Sequence, residues 1–203
     1  TVFAQKMASN AEMIYVGGND GMLHAFDTNG NEVFAFIPTG VKDTIGDLKT
    51  AGYGTPAGKK AHRYYVDATP QISDVYFDGA WHRVLVGALG AGGNEIFALD
   101  ITDPAHPSLL WEFGLAASSK MGVSLAQPTI ARLNDVSATN KGKWVALIPN
   151  GYQGPDSASG KASLSVVDMA NGSIIKQFDV DGSLSTTELT ALAPVGNGLS
   201  RLA

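Results

Sequence analysis

The chain has 203 residues, 44% of them hydrophobic and 16% charged, with a net charge of −5. This composition supports a sizeable globular core, and the acidic balance without a basic stripe excludes nucleic acid as a partner. No apolar run reaches the roughly 18 residues of a membrane-spanning helix, and with zero cysteines neither disulfides nor thiolate metal sites are available. The 24 glycines suit frequent tight turns better than long helices, so the class reads as all-β.

Residues 15–38, YVGGNDGMLHAFDTNGNEVFAFIP, set the pattern for the whole chain. Residues 13–17 are apolar and β-rich, and Asn19, Asp20 and Gly21 tolerate positive φ, so they mark a hairpin turn. A second strand (Met22 to Phe26) stops at Asp27, and after the turn 28–31 a third runs from Val33 to Ile37, closed by Pro38. Two weaker copies follow: FALDITDPAHPSLLWEF from Phe97 and SVVDMANGSIIKQF from Ser165. The aligned aspartates Asp27, Asp100 and Asp168 lie 73 and 68 residues apart. A Pro-opened strand precedes the later copies (ATPQISDVYF and AQPTIARL), with an echo in LAPVGNGLS.

Each unit is therefore expected to hold four strands. They fall at about 71–77, 83–88, 95–101 and 109–113 in the second unit, and at 128–133, 144–149, 162–168 and 173–179 in the third. The first unit is expected to lack its opening strand. Four-stranded antiparallel sheets repeated along a chain are the signature of β-propeller blades. The whole of residues 1–203 reads as part of one propeller: an incomplete blade one (13–38), an insertion (39–66), blade two (67–113), blade three (125–180) and the start of a further blade (189–203). A ring needs about four blades or more, so the chain is expected to be an arc cut inside one blade at Thr1 and inside another at Ala203. Within 39–66, Val41, Ile45 and Leu48 at helical spacing predict a short helix. A loop of this length fits either a functional element or a tolerated insertion.

Candidate chemistry is sparse. Gly87 to Gly93 looks like a phosphate-cradling loop, but such a loop must open a helix, and Asn94 to Asp100 reads as a strand. Asp27, Asp100 and Asp168 could converge on a ligand by blade symmetry, yet Asp at a strand-to-turn junction more often accepts backbone N–H groups. They are read as structural turn residues, and Asp20 likewise. Asp179 to Ser183 resembles the opening of a calcium loop, but Glu188 arrives too early for the closing bidentate acid. His24, His62, His82 and His106 show no metal-ligand spacing, and the serines between Ser157 and Ser165 have no evident histidine. No catalytic, cofactor-binding or metal-binding residue is assigned. Trp81, Trp111 and Trp144 recur as inter-blade packing residues do.

The stretches YVGGNDGMLHAFDTNGNEVFAFIP, HRYYVDATPQISDV, WHRVLVGALGAGGNEIFALDITDP, LLWEF, WVALIPNGY and NGLS, with Tyr53, together resemble the C-terminal propeller of the PilY/PilC family. These are the type IV pilus biogenesis factors and tip-associated adhesins of Gram-negative bacteria. The resemblance covers nearly the whole chain, and NDGMLHAFD with GAGG-x-x-x-FALD-x-TDP is its most specific part. It implies a non-enzymatic, quinoprotein-like propeller at the cell surface or pilus tip, outer-membrane-associated or extracellular, acting in pilus assembly, twitching motility and adhesion. The partners it implies are pilins or minor pilins, host-surface ligands and the remainder of its own propeller. Calcium is expected for the full-length family domain, but the family's aspartate-rich loop falls beyond Ala203 and no ligand is carried over. YVGG-x-DG-x-L-x-AFD-x-x-G also resembles the repeats of pyrroloquinoline-quinone dehydrogenases, although their adjacent cysteines and tryptophan-rich docking signature are lacking. A periplasmic outer-membrane assembly scaffold built from the same repeat is a further alternative.

Overall fold

The computed structural model describes residues 2–3, 12–58, 60–115, 120–134, 139–152 and 162–180. Among the described residues, twelve strands form three four-stranded antiparallel meanders. Blade one holds β1 (Val2–Phe3), β2 (Met13–Gly17), β3 (Leu23–Asp27) and β4 (Glu32–Phe36). Blade two holds β5 (Gln71–Phe77), β6 (Ala80–Ala88), β7 (Ile96–Asp100) and β8 (Ser108–Phe113). Blade three holds β9 (Thr129–Arg132), β10 (Trp144–Pro149), β11 (Ala162–Asp168) and β12 (Ile174–Val180).

Two expectations need correction. Blade one does not lack its opening strand, because Val2 and Phe3 pair with Ile14 and Met13. A two-residue strand is too short to carry the alternation by which strands are recognised. The 39–66 segment forms two short 3-10 turns, Thr39–Val41 and Ile45–Lys49, rather than one helix. Successive i to i+3 bonds link Thr44 to Val41, Asp47 to Thr44 and Thr50 to Asp47. Gly46 weakens a longer helix, and the Thr44 hydroxyl donates to the Val41 carbonyl. The strand expected over 189–203 lies outside the described residues.

The turns follow local chemistry. Phe77 pairs with Ala80, so Asp78 and Gly79 alone make the hairpin, both at positive φ (50° and 81°), as a two-residue turn matched to strand twist requires. All three blades also share a feature without a sequence signature. The register between third and fourth strands shifts at Ala25/Phe26, Ala98/Leu99 and Val166/Val167, equivalent positions just before the aspartate that ends each third strand. A bulge there bends and twists each blade in the same place.

Blade two is the shared wall. In β6 and β7, Val84, Val86, Ala88, Ile96 and Ala98 join a core with Ala146, Ile148, Val167 and Met169 of blade three. The alternate residues Leu85, Phe97 and Leu99 join a core with Met13, Tyr15, Leu23 and Ala25 of blade one. Gly87 pairs with Phe97, and a Cβ at 87 would run into the Phe97 ring. The missing side chain lets Phe97 lie flat and meet Phe36 of blade one, ring centroids 5.0 Å apart.

The two joints are closed differently. Trp111 in β8 is buried, its indole N–H donates to the Met169 carbonyl at 2.8 Å, and its ring lies against Gly172, where a Cβ would clash. This is the inter-blade packing expected of Trp111 from its recurrence in the sequence, with a backbone acceptor on the next blade. Trp111 pairs with Ala98 as Phe34 pairs with Ala25. At the first joint the equivalent ring is thus a phenylalanine without a donor, beside a cleft of about 190 Å³ lined by Phe34, Phe36, Leu99 and Leu109. Trp111→Ala is expected to destabilise the fold by about 3–5 kcal/mol, and Trp111→Phe, which keeps most of the volume but loses the indole donor, by about 1 kcal/mol. Urea denaturation of both variants checks the order.

Candidate functional site

The three aspartates sit at equivalent register, Asp27 opposite Met13, Asp100 opposite Val84 and Asp168 opposite Val145. Each uses one oxygen on its own turn. Asp27 Oδ1 accepts the N–H groups of Asn29 and Asn31, Asp100 Oδ1 those of the Thr102 backbone and hydroxyl, and Asp168 Oδ1 that of Ala170. This is an Asx turn repeated three times.

The second oxygen reaches a different group in each blade. Asp100 Oδ2 lies 2.7 Å from His82 Nδ1, and Asp168 Oδ2 accepts from Lys143 Nζ at 2.7 Å. His82 and Lys143 both stand two residues before the partners of these aspartates, Val84 and Val145, so they occupy one repeat position. In blade one, Asp27 Oδ2 accepts the Asn31 side-chain amide instead. The carboxylates thus staple turn to strand within each blade. Among the described residues, no three His, Asp or Glu side chains come together in a way that could hold a metal ion.

The other singled-out residues are also accounted for locally. Asp20 Oδ1 accepts the Met22 N–H, and its other oxygen lies 2.9 Å from His24 Nε2. His24 Nδ1 is 2.6 Å from Glu32. The hydrogen bond to Glu32 pushes the His24 pKa up, burial opposes it, and Asp20 adds to the rise. His62 packs between Tyr53 and Tyr64, and His106 pairs with Asp103. In the glycine-rich stretch, the N–H groups of Leu89 and Gly92 donate to the carbonyls of Glu95 and Leu89, so they are turned inward rather than presented to an anion. Asp179 pairs with Lys120. Asp181 to Glu188 and the serines at 157 and 159 lie outside the described residues.

At the rim between blades two and three, Tyr76 packs edge-on to Trp81, and Trp81 to Trp144, with centroids 5.6 and 6.2 Å apart. Trp81 is 54% exposed, an unusual position for so large a ring. A cleft of about 330 Å³ beside it is lined by Tyr76, Phe77, Asp78, Lys141, Lys143 and Trp144, among others.

Three successive meanders, the middle one packed on both faces between the other two, define an all-β propeller architecture. The chain belongs to the PilY1 β-propeller domain family, whose model matches residues 1–198. Over 182 residues it is 44% identical to the type IV pilus biogenesis factor PilY1 of Pseudomonas aeruginosa, covering 90% of this chain and 15% of that protein. It is 38% identical to a PilY1 homologue of Xylella fastidiosa, covering 98% of this chain and 13% of the homologue. The chain thus spans about one seventh of the length of these curated relatives. The crystal structure of the Pseudomonas aeruginosa PilY1 C-terminal domain superposes with a TM-score of 0.66 at 40% identity, over 93% of this chain and 35% of that one.

Burial pushes the Asp100 carboxyl up, but the Thr102 hydroxyl and N–H and His82 outweigh it and hold the pKa below the usual 3.8. The stability it contributes is therefore present above pH 3.8 and lost as the pH falls through its lower folded value. Asp100→Asn is expected to flatten the acid limb of a thermal-denaturation series recorded against pH.

Proposed function

We propose that this chain is a non-enzymatic contact module of the type IV pilus machinery, acting in pilus assembly, twitching motility and surface adhesion at the cell surface or pilus tip of a Gram-negative bacterium. The observation that carries the reading is the 44% identity, across 90% of the chain, to a type IV pilus biogenesis factor. The site chemistry agrees with it: the repeated aspartates Asp27, Asp100 and Asp168 are engaged by their own turns, while large aromatic side chains face solvent at a blade joint. Pilins or minor pilins and host-surface ligands are the partners such a rim would meet.

The two outermost blade faces need a further partner. Ile14 and Val16 are exposed on the side of blade one away from blade two. Leu133, Val166, Ile175 and Phe178 line a groove of about 420 Å³ on blade three. We infer that further blades of the same ring cover both faces, since apolar surface of this kind is otherwise a route to aggregation. Calcium, which the family resemblance implies, finds no three-ligand cluster among the described residues, and no role here depends on it.

In-frame deletion of the region encoding residues 12–180 is expected to abolish or alter surface piliation and twitching zones. Normal pili, twitching and adhesion in that strain would overturn the reading. Purified protein that bound pyrroloquinoline quinone and oxidised alcohols would replace it with a dehydrogenase.

A further inference from the structure

Where the chain leaves blade one it meets two carboxyl groups of blade two. The Gly40 N–H donates to Glu95 Oε2, and the Thr39 N–H donates to Glu112 Oε1 at 2.8 Å. Glu95 lies two residues before Phe97, and Phe97 pairs with Glu112 in β8. Both side chains therefore project from the same face of neighbouring strands, a diagonal within reach of long side chains. Glu95 is 0% exposed. Gly40 has no room for a side chain, because a Cβ would run into Glu95 Oε2 and crowd Leu89 and Leu115.

Two ionised carboxylates cannot share such a place. Glu95 Oε1 is buried and accepts no hydrogen bond from any N–H or O–H group, which leaves a costly orphan if it is charged. A proton on Oε1, donated to Glu112, removes both difficulties: the orphan becomes a donor, and the single remaining charge rests on Glu112. The charged groups facing the pair are each other and Lys42 from the segment after β4. Burial chiefly, then the hydrogen bond with Glu112 and its charge, raise the Glu95 pKa to about 8 against the N–H groups of Gly40 and Thr39. Burial also raises Glu112, but Thr39, Glu95 and Lys42 outweigh it and hold that carboxyl below its usual value.

We propose that Glu95 and Glu112 share one proton in the folded protein and form a proton-operated clasp, which holds the start of the 39–66 segment on blade two and loosens as the pH rises. The far end of the segment is fixed independently, since Tyr65 and Val66 are buried and Asp67 N–H bonds the Leu89 carbonyl. Opening is therefore local. Release of the segment lets water reach Glu95 and relieves the burial that chiefly raises its pKa, so the open clasp gives up its proton at a lower pH than the closed one. The clasp therefore weakens as the pH rises, by up to about tenfold per pH unit, and reaches its loosest state once the closed form has also lost its proton, past about pH 8.

Amide hydrogen exchange at Thr39 and Gly40 in the purified protein, corrected for intrinsic exchange and followed from about pH 5 to about pH 9, reads this directly through the linkage slope. Protection in the native sequence is expected to fall with rising pH, by up to about tenfold per unit, and to level off near 8. Glu95→Gln, whose amide can both accept from Gly40 and donate to Glu112, is expected to abolish the slope. Glu112→Gln is expected to move the levelling point to lower pH. A flat native profile, or a native-like slope in Glu95→Gln, overturns the proposal. Should either variant fail to fold, carboxyl carbon NMR on the native protein decides: titration of Glu95 at an ordinary carboxylate value overturns it, and an elevated value upholds it.

Discussion

The burial of blade two on both faces is the constraint on which the described structure depends. Side chains alternate across a strand with period two, so the inner stretches of β6 and β7 must be apolar at consecutive positions rather than at every other one. They are: Val84, Leu85 and Val86, and likewise Ile96 to Leu99, are all buried, while the polar His82, Arg83 and Asp100 keep to one end of the pair. Each such side chain contributes about 1.5–3 kcal/mol through burial, and half of them act at each joint. A one-residue slip in β6 would exchange the two sets and mismatch both cores together.

This arrangement makes the joints individually adjustable, because each is closed by a few residues outside the shared wall. The joint between blades two and three is directional, with an indole that packs and donates at once. The joint between blades one and two has Phe34 where the other has its indole, leaves a cleft, and routes polar contacts through two carboxyl groups and the backbone of the crossing segment. Packing and proton chemistry are thus separated in space along the arc.

Much of the fold was legible in the sequence. Strands 71–77, 144–149 and 162–168 fall where alternation and turn residues put them, and the repeat aligned Asp27, Asp100 and Asp168 before any coordinate was known. Other features were not. β1 has two residues and hence no period. The shared position of His82 and Lys143 is hidden because the two residue types differ and only the geometry is common. Glu95 and Glu112 belong to no motif, and the amides that meet them are 55 and 73 residues away, a distance at which one sequence carries no pairing information. The docking of Trp111 lies between these cases: its inter-blade role is readable from the recurrence of tryptophan, but its acceptor, a backbone carbonyl, has no residue identity to read.

Gly172 shows how narrow the tolerance at a closed joint is. Its φ of 74° is one that asparagine or aspartate often adopts in turns, so the turn alone would admit several residues. The Trp111 ring removes them, since any Cβ would overlap it. Two independent demands, one from the backbone and one from a neighbouring blade, intersect on a single amino acid. A variant library at 172 would therefore return glycine alone, whereas Gly30, with a similar φ of 85° and open space around it, would accept asparagine.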